Sequence, residues 1–343
     1  MSHRYEIRAA TRADRADLLE LARFLDSVNL PHDPAAIDEL LDLSERSFTG
    51  AIGDPRRREY VFVLRDREAG RAIGTSMVIG QLGRRDAPYI YFDVLTEERY
   101  SATLDRHFDH KVLSIGYSYR GPTEIGGLVM HPAYRRSTER LGMLISYVRF
   151  LFIRMHREDM QHELLAELLP PLEADGTSHL WEAVGRHFTG LTYREADRLS
   201  KKNKEFIRGL FPDGDIYVSL LSPQAQDVVG KVGPQTRGVE KLLRRIGFRY
   251  AERVDPFDGG PHFVAQTDEV TLVRRAHEAR VSIGEVGKPA RALVAVERDE
   301  PPYFLAIASD YAAPDAGQVF LPRASAERLS VASGDLVWLL PLE

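Results

Sequence analysis

Between Leu128 and Met143 the chain reads Leu128-Val129-Met130-His131-Pro132-Ala133-Tyr134-Arg135-Arg136-Ser137-Thr138-Glu139-Arg140-Leu141-Gly142-Met143. A strand ends at Met130, a proline interrupts pairing, arginines follow, and Gly142 opens an apolar helix. The first amides of such a helix have no internal acceptor and carry partial positive charge. A pyrophosphate placed there meets donors, and Arg135, Arg136 and Arg140 add charge-assisted hydrogen bonds. A plain strand–loop–helix with exposed arginines fits the same spacing, and on spacing alone it has the edge.

The rest of the chemistry is bounded by composition. The 343 residues contain no cysteine, so disulfides, thiolate nucleophiles and Cys-ligated metals are excluded, and covalent catalysis would fall to Ser, Thr, Lys or a carboxylate. Lys+Arg 46 against Asp+Glu 51 gives 46 − 51 = −5. Such a balance disfavours nucleic acid as a partner, because phosphate neutralisation drives that binding. No apolar leader follows Met1, and Met143 to Met155 is short for a bilayer and contains Arg149 and Arg154. The expectation is a cytoplasmic protein with no membrane partner.

The elements that must position these residues follow from periodicity. Tyr5 to Ala10 alternates as a strand, and Thr11-Arg12-Ala13-Asp14 has the form of a helix start. Leu18, Leu21, Ala22 and Leu25 lie at helical spacing, and Ile37, Leu40 and Leu41 suggest a second helix after Pro34. Tyr60 to Leu64 and Ala72 to Ile79 read as a hairpin, and Tyr89 to Val94 as another strand. Glu124 to Met130 is apolar on both faces, as a central strand would be. A long apolar helix over 142–156 and a strand over 164–169 follow. Thr236 to Ile246 is a helix capped by Gly247, and strands over 248–254 and 262–267 flank the turn Asp258-Gly259-Gly260-Pro261. After Gly284, short strands between Pro, Gly and Asp turns suit a small β-barrel or sandwich.

The Leu128–Met143 junction resembles the acyl-CoA motif of the GNAT acyltransferase superfamily, with the first glycine missing and a short insertion over Ser137–Arg140. A longer resemblance, from Tyr60 to Pro261, is to the arginine N-succinyltransferase family. It is carried by Tyr60-Val61-Phe62-Val63-Leu64, His131-Pro132, Arg149-Phe150, Ala166-Glu167, Phe188 and Arg194-Glu195-Ala196-Asp197. The most specific segments are Leu221 to Gly230, Pro234-Gln235-Thr236, Gly247 to Tyr250 and Phe257 to Pro261. The resemblance implies an α+β fold, a GNAT-like mixed sheet flanked by helices over 1–284, with a small all-β barrel-like subdomain over 285–343. It implies succinyl-CoA as cosubstrate, with no cofactor held permanently and no metal, and the α-amine of arginine as acceptor. Leu128 then corresponds to a succinyl-CoA contact, with backbone groups of Leu128, Val129 and Met130 pairing with pantetheine amides. Leu141, Gly142 and Met143 complete the cofactor set with the three arginines.

Three departures accompany the resemblance. The family's catalytic His of Val-His-Pro-Gln-Thr is Gly233 in Val232-Gly233-Pro234-Gln235-Thr236. Where the family continues Ala-Glu with Met-Arg-Gly, this chain has Leu168-Leu169-Pro170. The Gly-rich segment after the first helix is replaced by Leu25 to Leu30. Candidates for the lost proton carrier are Glu124, Glu167 and His262. Glu124 is a water-activating base or, with more weight, a solvated strand-end charge. Glu167 is a base or a structural ion pair. For His262 a surface-loop histidine carries more weight. Asp255 and Gln235 are placed with the acceptor, Asp258 with its turn, and the run Lys201-Lys202-Asn203-Lys204 on a solvated face that could also assist the CoA 3′-phosphate.

The reading is an N-acyltransferase of arginine catabolism, acting on arginine or a related amine, as a homodimer or a hetero-oligomer with a related chain. The alternative is a non-catalytic acyl-CoA-binding or partner subunit, which Gly233 motivates.

Overall fold

The computed structural model describes residues 4–25, 29–83, 87–173, 176–200, 203–286, 289–313 and 317–342. Its strands are β1 (Tyr5–Ala9), β2 (Glu59–Asp66), β3 (Arg71–Ile79), β4 (Tyr89–Ser101), β5 (Arg106–Ser118), β6 (Thr123–Met130), β7 (Glu163–Glu167), β8 (Ile216–Tyr217), β9 (Arg249–Val254), β10 (Pro261–Gln266), β11 (His277–Ile283), β12 (Ala290–Glu297), β13 (Phe304–Tyr311), β14 (Gln318–Leu321) and β15 (Leu336–Pro341). The helices named below are α1 (Arg15–Ala22), α2 (Pro34–Phe48) and α3 (Leu141–Met155). The chain packs as two units, one of Met1–Gln81, Thr123–His162 and Thr267–Glu343, the other of Leu82–Pro122 and Glu163–Gln266.

In the first unit the strands follow the order β14-β11-β15-β12-β13-β1-β2-β3-β6, antiparallel except for the β11–β14 pair. The unbroken apolar run of β2 has a physical cause: both of its faces are covered. Val61 and Val63 pack with Leu18 and Leu21 of α1 and Ile37 and Leu41 of α2. Phe62 points the other way and meets Phe152 of α3, ring centroids 5.1 Å apart, and Phe304 of β13 at 5.3 Å. Burying each such ring contributes about 1.5–3 kcal/mol. The Thr11–Asp14 start forms as read: the Asp14 carboxylate accepts the Thr11 N–H at 2.9 Å. That carboxylate is fully buried and also accepts from Arg8 at 2.7 Å and Arg65 at 3.0 Å.

The C-terminal strands surround a core of their own, with Val281, Val294, Leu305, Ile307, Val319 and Leu339. β1 pairs with β13, Ile7 opposite Ala306. Within this tail Arg323–Leu329 is a helix that the sequence reading does not contain.

The second unit has the order β7-β10-β9-β4-β5-β8, antiparallel throughout. Trp181 stacks on Phe257 at 5.0 Å in a core that includes Phe92, Leu113 and Phe211. The strand expected to end at Val94 continues to Ser101 and pairs residue for residue with β5, a strand that no sequence signal marks. The reason is exposure. The far half of this hairpin is solvated, with Tyr100, Leu104 and Phe108 exposed, so no alternating burial marks it.

One irregularity shapes the first unit's site. Thr75 of β3 faces Val129 and Met77 faces Gly126, so β6 carries one extra residue there. This is a β-bulge, and Gly127 within it has φ +56°. A Cβ at Gly127 would also lie 2.7 Å from the Met77 sulfur. Gly127→Ala is therefore expected to cost about 1–3 kcal/mol of stability, read as a lowered urea midpoint; an unchanged midpoint would show that the bulge relaxes at no cost.

Candidate functional site

The bulge interrupts the β3–β6 ladder, which resumes at Val129 and Met130, and leaves Leu128 half-buried with those two residues buried behind it. Past Met130, Pro132–Tyr134 makes a single tight turn, and Tyr134 donates to Asp66 at 3.2 Å. The Arg135 side chain folds back and donates to the Met130 carbonyl at 3.0 Å. Two further turns carry the Ser137–Arg140 insertion: Ser137 N–H donates to Tyr134 and Arg140 N–H to Ser137, both at 3.2 Å. Arg140 precedes α3 in the left-handed region, φ 53° and ψ 41°.

Met143 and Leu144 N–H both donate to the Arg140 carbonyl, at 2.8 and 3.2 Å. Leu141 and Gly142 N–H have no acceptor among the described residues. Space beside Gly142 is open, since an added Cβ would touch only Met130, at 3.7 Å. Arg136 and Arg140 are exposed and in no ion pair among the described residues. The insertion thus leaves an anion-ready helix start with two unengaged guanidinium groups.

Glu124, at the other end of β6, is not the solvated strand-end charge that the sequence favoured. It is 4% exposed and accepts a 2.6 Å hydrogen bond from the Asn29 side chain. Strand pairing of β6 with β3, Ile79 opposite Glu124, draws it under cover. Of the altered segment after α1, Asp26 to Val28 lie outside the described residues.

In the second unit, register brings the other candidates together. His262 of β10 sits directly opposite Glu167 of β7, and opposed residues present side chains on one face. His262 is therefore no surface-loop residue: it is fully buried in a strand, and its Nε2 lies 3.5 Å from a Glu167 carboxylate oxygen. Its Nδ1 is 2.7 Å from the hydroxyl of buried Tyr89. Burial, helped by the positive charges of Arg253 and Lys204, pushes the imidazole down to about 3. It is neutral at pH 7. Arg253 is held by Asp93 at 3.0 Å and lies 4.3 Å above the Tyr91 ring. Tyr89 carried no signal in the sequence beyond a strand-forming aromatic.

Asp255 joins this cluster: one ligand-type atom each of Glu167, Asp255 and His262 lie within 4.8 Å of one another. The Asp255 carboxylate accepts the Phe257 N–H at 2.6 Å, and burial pushes its pKa up. Asp258 serves the turn, accepting the Gly260 N–H at 2.7 Å. Gln235 is exposed. Lys201 and Lys202 lie outside the described residues, and Lys204 is half-buried.

Two of the departures from the family pattern touch. Gly233 N–H donates to the Leu169 carbonyl at 2.9 Å, and the Thr236 hydroxyl donates to the same oxygen at 3.0 Å. A Cβ on Gly233 would lie 2.7 Å from the Pro170 oxygen and 2.8 Å from the Leu169 oxygen. With Leu168-Leu169-Pro170 running where it does, no side chain fits at position 233.

A family described as "Arginine N-succinyltransferase beta subunit" matches residues 5–272. The chain belongs to the arginine N-succinyltransferase family. Arginine N-succinyltransferase of Yersinia pestis is 32% identical over 98% of this chain and 97% of its own. The arginine N-succinyltransferase subunit beta of Pseudomonas aeruginosa is also 32% identical, over 98% of both chains. The solved structure of arginine/ornithine succinyltransferase subunit AI from Pseudomonas aeruginosa has a TM-score of 0.83 at 28% identity, covering 99% of each chain. Membership bears out the GNAT-like α+β fold and an N-acyltransferase with an acyl-CoA cosubstrate. Among the described residues no helix is long and apolar enough to cross a membrane.

Two outcomes follow from this geometry. Gly233→His is expected to destabilise the fold by more than Gly233→Ala, itself about 1–3 kcal/mol, rather than restore a family-like site; a stable, more active Gly233→His enzyme would show that the 169–170 backbone yields. The second concerns acid. Unfolded, His262 protonates near about 6.5, and folded only near 3. Between those values the unfolded chain binds more protons at this position, so stability falls as pH drops through the window. Asp255, with its raised pKa, opposes this. His262→Gln should flatten the fall in urea midpoint from pH 6.5 to 4; an unaltered slope would remove His262 as its source.

Proposed function

We propose that this chain transfers the succinyl group of succinyl-CoA to the α-amine of arginine or a closely related amine, as part of arginine catabolism. The observation that carries the proposal is the 0.83 likeness, over 99% of both chains, to arginine/ornithine succinyltransferase subunit AI. The local chemistry supports it. The Leu141 and Gly142 amides, with Arg136 and Arg140, suit a pyrophosphate, and Arg135 braces the turn. The backbone of Leu128, Val129 and Met130 suits pantetheine amides, with Met143 beside the helix start.

The reaction needs a neutral amine. In this proposal the Glu167 carboxylate takes the proton from the acceptor's ammonium group. The amine lone pair then attacks the thioester carbonyl carbon. The C–S bond breaks as the attacking nitrogen gives up its second proton, which passes to the departing CoA thiolate, and the proton on Glu167 leaves to solvent. Buried neutral His262, held by Tyr89 at Nδ1, lies 3.5 Å from Glu167 through Nε2. Glu124 is the alternative base, acting through water. Asp255 and Gln235 are assigned to the acceptor. The assembly is proposed as a homodimer or as a pair with a related chain, in the cytoplasm.

A second reading has one observation in its favour: Gly233 has no room for a side chain. On that reading the chain binds acyl-CoA as the non-catalytic partner of a related subunit. Purified protein, succinyl-CoA and arginine separate the two. Free CoA should appear. Glu167→Gln should lower kcat by about 10²-fold or more with little change in KM for succinyl-CoA. Arg140→Ala should raise that KM instead. Calorimetric binding of succinyl-CoA with no CoA release from arginine or ornithine would overturn transfer in favour of the partner subunit.

A further inference from the structure

We infer that Glu167, Asp255 and His262 form a binding site for a divalent transition-metal cation. The inference stands on the geometry of these three side chains and not on the acyl-transfer reading, in which Glu167 is the assigned base; with an ion bound, that carboxylate is a ligand instead.

The first observation is convergence. Carboxylate oxygens of Glu167 and Asp255 and a ring nitrogen of His262 lie within 4.8 Å of one another. Three ligands from two carboxylates and an imidazole suit zinc, cobalt, manganese or iron in their divalent states. The second observation is independent of the acidic pair. His262 is 0% exposed, and its Nε2 is buried without a hydrogen-bond partner. A buried polar nitrogen left so costs about 1–3 kcal/mol. The nearest acceptor is the Glu167 oxygen at 3.5 Å, long for an N–H···O bond.

The ring orientation explains the vacancy at Nε2. Tyr89 holds Nδ1 at 2.7 Å. If Nδ1 carries the proton and donates it to the Tyr89 oxygen, the Nε2 lone pair faces the Glu167 carboxylate 3.5 Å away, with an Asp255 oxygen in the same cluster. Lone pair and anions repel, and a cation between them turns that repulsion into three bonds. A hydrogen bond from the far ring N–H is how a metal-binding imidazole is aimed and its tautomer set, and here a tyrosine oxygen takes the place of the usual carboxylate, carbonyl or water. Two positive groups face the cluster. Arg253 is occupied by Asp93 and Tyr91, and Lys204 is the remaining opposing charge. Glu167 is exposed, so an ion can reach the ligands from solvent.

A competing cluster provides the control. Glu98, His107 and Asp109, all exposed on the β4–β5 hairpin, also converge within 4.8 Å. There His107 already pairs with Asp109 at 3.1 Å.

The full-length protein, stripped with chelator and titrated with cobalt(II), should bind one ion per chain with visible d–d absorption and Kd below roughly 0.1 mM. Glu167→Gln, at an exposed position where folding is not at stake, and His262→Gln should each weaken binding by about tenfold or more. His107→Gln should leave it unchanged. Absence of saturable cobalt or zinc binding overturns the inference. So does binding that His107→Gln abolishes and Glu167→Gln leaves intact. Because the readout is metal occupancy, failure here leaves CoA release from arginine untouched, and failure of CoA release leaves the metal titration to be decided by itself.

Discussion

Strand register is the constraint on which the placement of the candidate side chains depends. Side chains alternate along a strand, so a slip of one residue would turn His262 from Glu167 to the opposite face. Register is held in turn by burial. Phe263, Val264 and Ala265 of β10, and Leu164, Leu165 and Ala166 of β7, are all buried, and none can be exposed without losing apolar contact. In the first unit the same constraint acts with one deliberate break. β6 keeps its register with β3 on either side of the Gly127 bulge, so Leu128 is released from the ladder while Glu124 and Met130 remain fixed.

Desolvation sets the electrostatics. His262 is held neutral and the Asp255 carboxyl is pushed up for the same reason, that an ion buried without water is costly. Arg149 on α3 shows how far this goes: fully buried, it is pushed down to about 9 and donates to Ser146. The solution at Asp14 is the opposite one. Two arginines and a backbone N–H keep a buried carboxylate satisfied. By contrast Arg136 and Arg140 stay in water, where a guanidinium is available to a ligand's phosphates at no desolvation cost before binding.

The Gly233 region joins two features that look separate along the chain. Glycine in place of the family's histidine and Leu169-Pro170 in place of its Arg-Gly each remove a polar side chain. In space they are one packing event, since the carbonyls of Leu169 and Pro170 occupy the place of a side chain at 233.

Much of this was legible by reading residues. Tyr60 to Leu64 declared a strand, Glu124 to Met130 a strand apolar on both faces, Thr11 to Asp14 a helix start, the run over 142–156 an apolar helix fed by arginines, and the ordered motifs a family. These signals are local, because propensity, capping and short-range periodicity act within a few residues. The β5 strand and the helix over Arg323–Leu329 escaped, the first because its solvated half lacks a buried face. Only the tertiary structure decided that His262 and Glu124 are buried, that Tyr89 steadies the imidazole, and that Gly233 lies against Leu169 and Pro170. Burial and cross-strand partnership arise between segments far apart in sequence, and a residue's type does not encode which neighbour will exclude its water.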